Sequence, residues 1–163
     1  MSGKEILTPT VDRSRIVPPE SPANFISRKH LFPLFETGLP GVTVIAAPAG
    51  FGKTSLVAQW AKSAERPTVW LSVNSQDSIQ SFFSHVLAAI RVKFPYFGSD
   101  FENEPSANPI LNIKKMTGAV GELNESFNFV LDNGPADSPE ISTIAQSIID
   151  YLPNNVHLVI VRR

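Results

Sequence analysis

The chain has no cysteine among its 163 residues. That absence rules out a disulfide framework, a thiolate metal site and a thiol nucleophile, and it fits a reducing compartment. Also missing is any run of about 18 apolar residues of the kind a membrane-crossing helix needs. Residues 1–22 lack the apolar stretch of a secretory signal. The expectation is a soluble cytoplasmic protein with no membrane contact. Charge of one sign is not in excess either, since 14 Lys and Arg stand against 15 Asp and Glu, for a formal net charge of −1. Without a basic field to hold a polyanion, direct DNA contact by this segment is disfavoured. His30, His85 and His157 show no metal-ligand spacing and read as boundary or surface residues. No nucleophile elbow or catalytic serine motif occurs.

What is present is enough apolar material, 42% of the chain, for one sizeable core. Residues 1–24 carry Pro9, Pro18, Pro19 and Pro22 among polar residues, which predicts an extended N-terminal arm. Residues 25–163 form the expected domain. A short helix is predicted over 25–37, where Ile26, Leu31, Leu34 and Phe35 fall at roughly helical spacing with Pro33 in a first turn. Residues 42–47, 68–73, 127–132 and 156–161 are compact apolar runs that read as strands. Between them lie helical patterns: Leu56, Val57, Trp60 and Ala61; Ile79, Phe82, Phe83, Val86, Leu87 and Ile90 behind Asp77 and Ser78; Ile113, Met116, Val120 and Leu123. The last is Ile141, Ile144, Ala145, Ile148 and Ile149 behind Ser138 and Pro139. Residues 96–109 read as a surface excursion, acidic over 100–104. Trp60 and Trp70 fall within apolar patterns and are read as packing. Strands alternating with helices imply an α/β fold, mainly a parallel sheet with helices on both faces.

The stretch Ala47, Pro48, Ala49, Gly50, Phe51, Gly52, Lys53, Thr54 fits the phosphate-loop pattern G-x-x-x-x-G-K-[ST], with Ala47 at the usual first glycine. A pattern this relaxed arises by chance in about 1 in 100 chains of such length, and here it stands between a strand and an amphipathic helix, as the motif requires. Backbone amides converge on an anion only where side chains do not crowd them. Gly50 and Gly52 therefore let the loop curl, and the next helix, predicted to start near Ser55, presents its N-terminal amides and dipole. Lys53 is expected to reach the terminal phosphates and Thr54 to ligate Mg²⁺ through its hydroxyl. Ligands of open α/β sheets gather at the carboxyl ends of strands, so Asp132, at the end of the third strand, is the expected second metal ligand. Asn133 follows where hydrolytic members of this class often carry an acid. An amide cannot take a proton, so weak hydrolysis is expected unless Asp137 or a partner supplies the base, and Asn133→Glu is expected to raise turnover. The cofactors implied are ATP or ADP with Mg²⁺.

These residues resemble the ATPase module of MalT-like regulators, the large ATP-binding LuxR-type transcription regulators. The likeness is carried by IVPPESPANFISRKHL, AAPAGFGKTSLVAQWA, TVWLSV, FNFVLDN and YLPNNVHLVIVRR, over roughly residues 10–163. It implies a P-loop NTPase domain that acts as an ATP/ADP switch and self-associates, with DNA bound by a separate C-terminal domain. It also implies that Ile26 and Arg28 line the adenine site, that Asp132 is the second motif's acid, and that Arg163 is a sensor near the γ-phosphate. The sequence departs from that family at Asn133 and at Arg162, an extra basic residue. Members of the family continue into a fifth strand and further domains, so the chain is expected to be a fragment or truncated product, cut after the fourth strand. Its loop-bearing strand then becomes an edge unless something covers it.

Two other functions compete with the switch. A small phosphotransferase would use the same loop to hold ATP beside an acceptor pocket. An assembly module would have lost nucleotide binding altogether. The first needs an arginine-rich lid, and after Asp132 the chain offers only Arg162 and Arg163.

Overall fold

Four apolar runs become strands in a computed structural model of the chain, which describes residues 10–20, 24–99, 108–134 and 138–163. They are β1 (Gly41–Ala46), β2 (Thr68–Ser72), β3 (Phe127–Asp132) and β4 (Val156–Arg162), all paired in parallel in the order β1-β4-β3-β2. Each parallel pairing needs a long crossover. The helices α1 (Lys53–Ser63), α2 (Ile79–Lys93), α3 (Pro109–Gly121) and α4 (Pro139–Asp150) supply them.

The chain passes from β1 to the far strand β2 and then returns through β3 to β4. Because such crossovers are right-handed, reversing direction moves the helices to the opposite face. Two cores result. On one face Leu56, Val57 and Trp60 of α1 meet Trp70, Val130, Val159 and Val161. On the other, Phe82, Val86 and Ile90 of α2, Ile113 and Met116 of α3, and Ile141 and Ile144 of α4 meet Leu71, Leu131 and Leu158. Strands β2, β3 and β4 are thus covered on both faces. β1 pairs with β4 alone among the described strands, and its Val42 and Val44 remain 41% and 49% exposed. The loop-bearing strand is therefore an edge.

Local chemistry sets most of the element ends. Ser78, Asn108 and Ser138 each accept a backbone N–H in the first turn of α2, α3 and α4. Several expectations need correcting. The helix expected over 25–37 is a 3₁₀ segment, Lys29–Phe35. Pro33 has no N–H to give a helical bond, and Leu31 N–H closes on Arg28 O and Glu36 N–H on Pro33 O, each three residues back. Only Phe35 of its apolar set is buried, stacked on Trp60 at 4.6 Å, while Ile26 and Leu34 stay 77% and 68% exposed. α1 starts at Lys53, two residues ahead of the expected Ser55, with Gly52 as its cap.

His85 and His157 are buried at 3% and 0% exposure rather than lying at the surface, because each finds polar partners inside. The segment expected as an extended arm contains a 3₁₀ turn at Arg13–Arg15, and Ile16 beside it joins the core. Residues 1–9 and 21–23 of that arm, the acidic stretch 100–104 and Asp137 lie outside the described residues. Both tryptophans are buried, as their patterns implied. No described helix is long and apolar enough to cross a membrane.

Candidate functional site

The reversal of direction opens a crevice at the carboxyl ends of the strands, where the chain leaving β1 turns to one face and the chain leaving β3 turns to the other. The glycine-rich loop after β1 enters it. Gly50 and Gly52 hold positive φ, 85° and 70°, where a side chain is strained. A Cβ on Gly50 would meet nothing, so conformation alone asks for glycine there. α1 then begins without a side-chain cap, unlike α2, α3 and α4. The first amides of a helix have no partner within it, so those of α1 remain available to an external acceptor.

Lys53 folds back over the loop. Its Nζ donates to Ala47 O at 2.6 Å and Pro48 O at 2.8 Å. Thr54 Oγ1 donates to Asp132 Oδ1 at 2.8 Å, joining the first turn of α1 to the end of β3 across 78 residues. Asp132 is only 3% exposed. Burial pushes its carboxyl above the ordinary carboxylate range, opposed by the Thr54 hydroxyl, the Asn133 backbone N–H and the charge of Lys53. From the other side of the loop, Arg28 Nη1 donates to Phe51 O at 2.9 Å. Its guanidinium lies so near Gly52 that a Cβ there would stand 3.6 Å from it.

Next to these groups lies a cavity of about 320 Å³ lined by Gly50, Gly52, Lys53, Thr54, Asn133 and Arg163, together with Ala49, Val161 and Arg162. A second cavity of about 400 Å³ adjoins it, sharing Asn133 and Arg163 and adding Arg15, Asn74, Gly134 and Ser138. Asn133 has φ 55°, in the left-handed region where asparagine is favoured. Gly134 is needed for space: a Cβ would come within 2.8 Å of Ile160 Cγ2, at the place where its N–H bonds Val161 O.

Ala49, Gly50, Gly52, Lys53, Thr54 and Arg163 thus come together around the first cavity, and Asp132 is tied to it through the Thr54 hydroxyl. Ala47 and Pro48 take part through the carbonyls that hold Lys53, and Ser55 sits in the first turn of α1. Phe51 takes part through its carbonyl, while its side chain is 61% exposed. Arg28 reaches the loop, but Ile26 is not among the cavity's lining residues. Sequence reasoning missed Arg15, Asn74 and Gly134. The strand-end rule that singled out Asp132 also applies to Asn74, just past β2. No local pattern marks Arg15, whose partner Asp77 lies 62 residues away.

The donor set of the crevice, one hydroxyl and one carboxylate, is all oxygen, which suits a hard divalent cation such as Mg²⁺ that retains waters or phosphate oxygens as further ligands. No group of three or more His, Cys, Asp or Glu placed to hold a metal ion occurs among the described residues. No protein-family model matches the chain. It is 30% identical over 89 residues to the serine/threonine-protein kinase PknK of Mycobacterium tuberculosis, in two strains, and of Mycobacterium bovis. That stretch is 52% of this chain and 8% of the kinase, so the chain spans a small part of the length of these relatives.

Proposed function

We propose that the chain is a P-loop nucleotide-binding domain that takes ATP or ADP with Mg²⁺ and works as a switch module of a MalT-like transcriptional regulator. The observation that carries the reading is the hydrogen bond from Thr54 to Asp132 at the foot of an uncapped helix. It brings a helix-borne hydroxyl and a strand-borne carboxylate to one point beside a lysine and a ring of free amides. Triphosphate recognition with a metal asks for that combination. Bound there, Mg²⁺ would neutralise phosphate charge. Thr54 and Asp132 would hold it. Lys53 would exchange its two loop carbonyls for phosphate oxygens, and Arg163 would face the end of the phosphate chain.

Binding with little turnover follows from Asn133. Its amide cannot accept a proton, so nucleotide state persists and can bias self-association, while DNA contact belongs to a separate domain. The left-handed backbone at Asn133 makes Asn133→Asp a better test of this than Asn133→Glu, because aspartate tolerates that conformation. Aspartate is expected to raise hydrolysis. The 8% overlap with a protein kinase is too small to bring that protein's activity here.

One observation favours a second reading, a small phosphotransferase. The adjoining cavity of about 400 Å³ would give an acceptor room next to Arg163. A switch consumes ATP at one slow rate whatever small hydroxyl compound is added, whereas a phosphotransferase is accelerated by its acceptor. For the metal site, fluorescent nucleotide titrated with and without Mg²⁺ is the test. Wild type should gain affinity with Mg²⁺, and Thr54→Ala should lose that gain while keeping metal-free binding. An undiminished Mg²⁺ effect in Thr54→Ala would refute the metal assignment.

A further inference from the structure

The larger of the two cavities, about 400 Å³, lies between the ends of β2 and β3 and the start of α4, and its wall contains none of the glycine-rich loop. Two guanidinium groups stand in that wall, Arg15 and Arg163, and no acidic side chain does among the described residues. Val73 and Ile141 are the apolar side chains there, too few to cover an apolar ligand.

The polar groups of the wall are mostly donors with protons to spare. Arg15 has five N–H donors. Nε gives to Ser72 O at 2.9 Å, Nη1 to Asp77 Oδ1 at 3.0 Å and towards His85 Nε2 at 3.4 Å, and Nη2 to the other Asp77 oxygen. One N–H is left over, on a group that those bonds already hold in place. Asp77 offsets the charge of Arg15. The guanidinium of Arg163 has no hydrogen-bond or ion-pair partner among the described residues, so the wall keeps a net positive charge.

Ser72 Oγ accepts from Trp70 Nε1 at 3.0 Å and Ser138 Oγ from the Ile141 N–H at 3.4 Å, so each retains its own hydroxyl proton to donate. Asn74 spends its side-chain carbonyl on the Gln76 N–H at 3.0 Å, which leaves its amide N–H groups. Donors thus outnumber acceptors around a positive charge. Anionic oxygens, which only accept, satisfy such a surplus best.

We infer that the larger cavity is a second anion site, which takes a small organic molecule bearing carboxylate or phosphate oxygens between Arg163 and the Arg15–Asn74 side. Its volume is at the small end of the range for ligand pockets, as a molecule of that class requires. Arg163 and Asn133 also line the smaller cavity, so the two sites share a wall. The coupling between them rests on the proposal that Arg163 faces the end of the nucleotide's phosphate chain. The anion and the γ-phosphate then compete for one guanidinium, and ADP has no γ-phosphate to compete with. Occupancy of the larger cavity therefore weakens ATP and spares ADP, and ATP in turn weakens the anion. The anion acts as an effector that tips the module towards its ADP form.

The site is tested without nucleotide by following backbone amide resonances of the wild type during titration with sodium succinate and, separately, with glycerol 3-phosphate. Saturable shifts are expected at Asn74, Ser75 and Gly134 with Gly50 and Gly52 unmoved, and Lys53→Ala should bind the same probe equally well. The probe that binds more tightly tells carboxylate from phosphate. Ser75 is exposed and its hydroxyl has no hydrogen bond among the described residues, so Ser75→Glu adds a negative charge to the wall without breaking a contact. Affinity should fall about tenfold in that variant. Shifts centred on Gly50 and Gly52, no saturation by about 20 mM of either probe, or unchanged affinity in Ser75→Glu overturns the site. ATP and ADP are then titrated into protein saturated with the better probe. A several-fold loss of ATP affinity with ADP unchanged is expected. Equal effects on the two nucleotides overturn the coupling, as does faster ATP consumption with the probe, which would make it an acceptor. If neither nucleotide binds even without the probe, the nucleotide reading fails while the anion site still stands or falls by the resonance shifts.

Discussion

Asp132 faces opposed demands, since the proposed metal site needs its charge and the fold is burdened by it. Its folded-state pKa is raised, so the native state holds the proton more tightly than the unfolded chain does. Its contribution to stability is therefore unfavourable at neutral pH and is recovered as the pH falls through the raised value. Asp132→Asn keeps an acceptor for Thr54 and removes the charge. The empty protein should then melt roughly 2–4 °C higher, a shift that corresponds to about 1 kcal/mol in a domain of this size. The same variant should lose the Mg²⁺-dependent part of nucleotide affinity in fluorescence titration. In wild type that part should weaken on acidification through a range above the usual carboxylate values, because proton and metal compete for one oxygen pair.

His157 is a different case, with no part in the crevice. Burial, and then the charge of Arg66, lowers its pKa from 6.5 to about 4. The unfolded chain binds a proton first, so stability should fall as the pH drops from 6.5 to about 4 and level off below. The full loss is about 3 kcal/mol by linkage. Chemical denaturation of His157→Gln over that range should show a flatter profile.

At the scale of elements, Gly134→Ala is the informative substitution. The chain leaving β3 passes so close to β4 that a methyl group meets Ile160 Cγ2 at 2.8 Å and Val161 O at 3.3 Å. The expected cost is about 1–3 kcal/mol, read as a lower midpoint in urea, with the loop after β1 undisturbed. How far elements could be foreseen depended on where their causes lie. α2 and α4 were legible because apolar spacing and the caps Ser78 and Ser138 are local, and the strands because each is a bounded apolar run. The 3₁₀ segment Lys29–Phe35 was misjudged because apolar spacing does not reveal which residues a neighbour will cover. Phe35 is buried against the ring of Trp60, Leu31 and Phe32 are covered only in part, and Ile26 and Leu34 stay exposed. The burial of His85 and His157 was illegible for the same reason, since, apart from Ser81 beside His85, the partners in their hydrogen bonds come from chain positions 29 to 114 residues away. The glycine-rich loop with Lys53, Thr54 and Asp132 was legible because a local motif names three of its parts and the strand-end rule supplies the fourth.

For the whole molecule, strand order links the crevice to an exposed edge. The walk from β1 to β2 and back builds the crevice and leaves β1 with one neighbour among the described strands and two valines in solvent. Exposed apolar edges of this kind invite pairing between copies. Val44→Lys should suppress concentration-dependent light scattering with little change in melting temperature, because Val44 is 49% exposed. The central claim, that the loop after β1 holds a nucleotide by its phosphates, is tested most directly by calorimetric titration of ATP with Mg²⁺ into wild type and Lys53→Ala. Removing the ammonium should weaken binding by about 2 kcal/mol, roughly thirtyfold, with melting temperature preserved. Equal affinity in the two proteins would contradict the account.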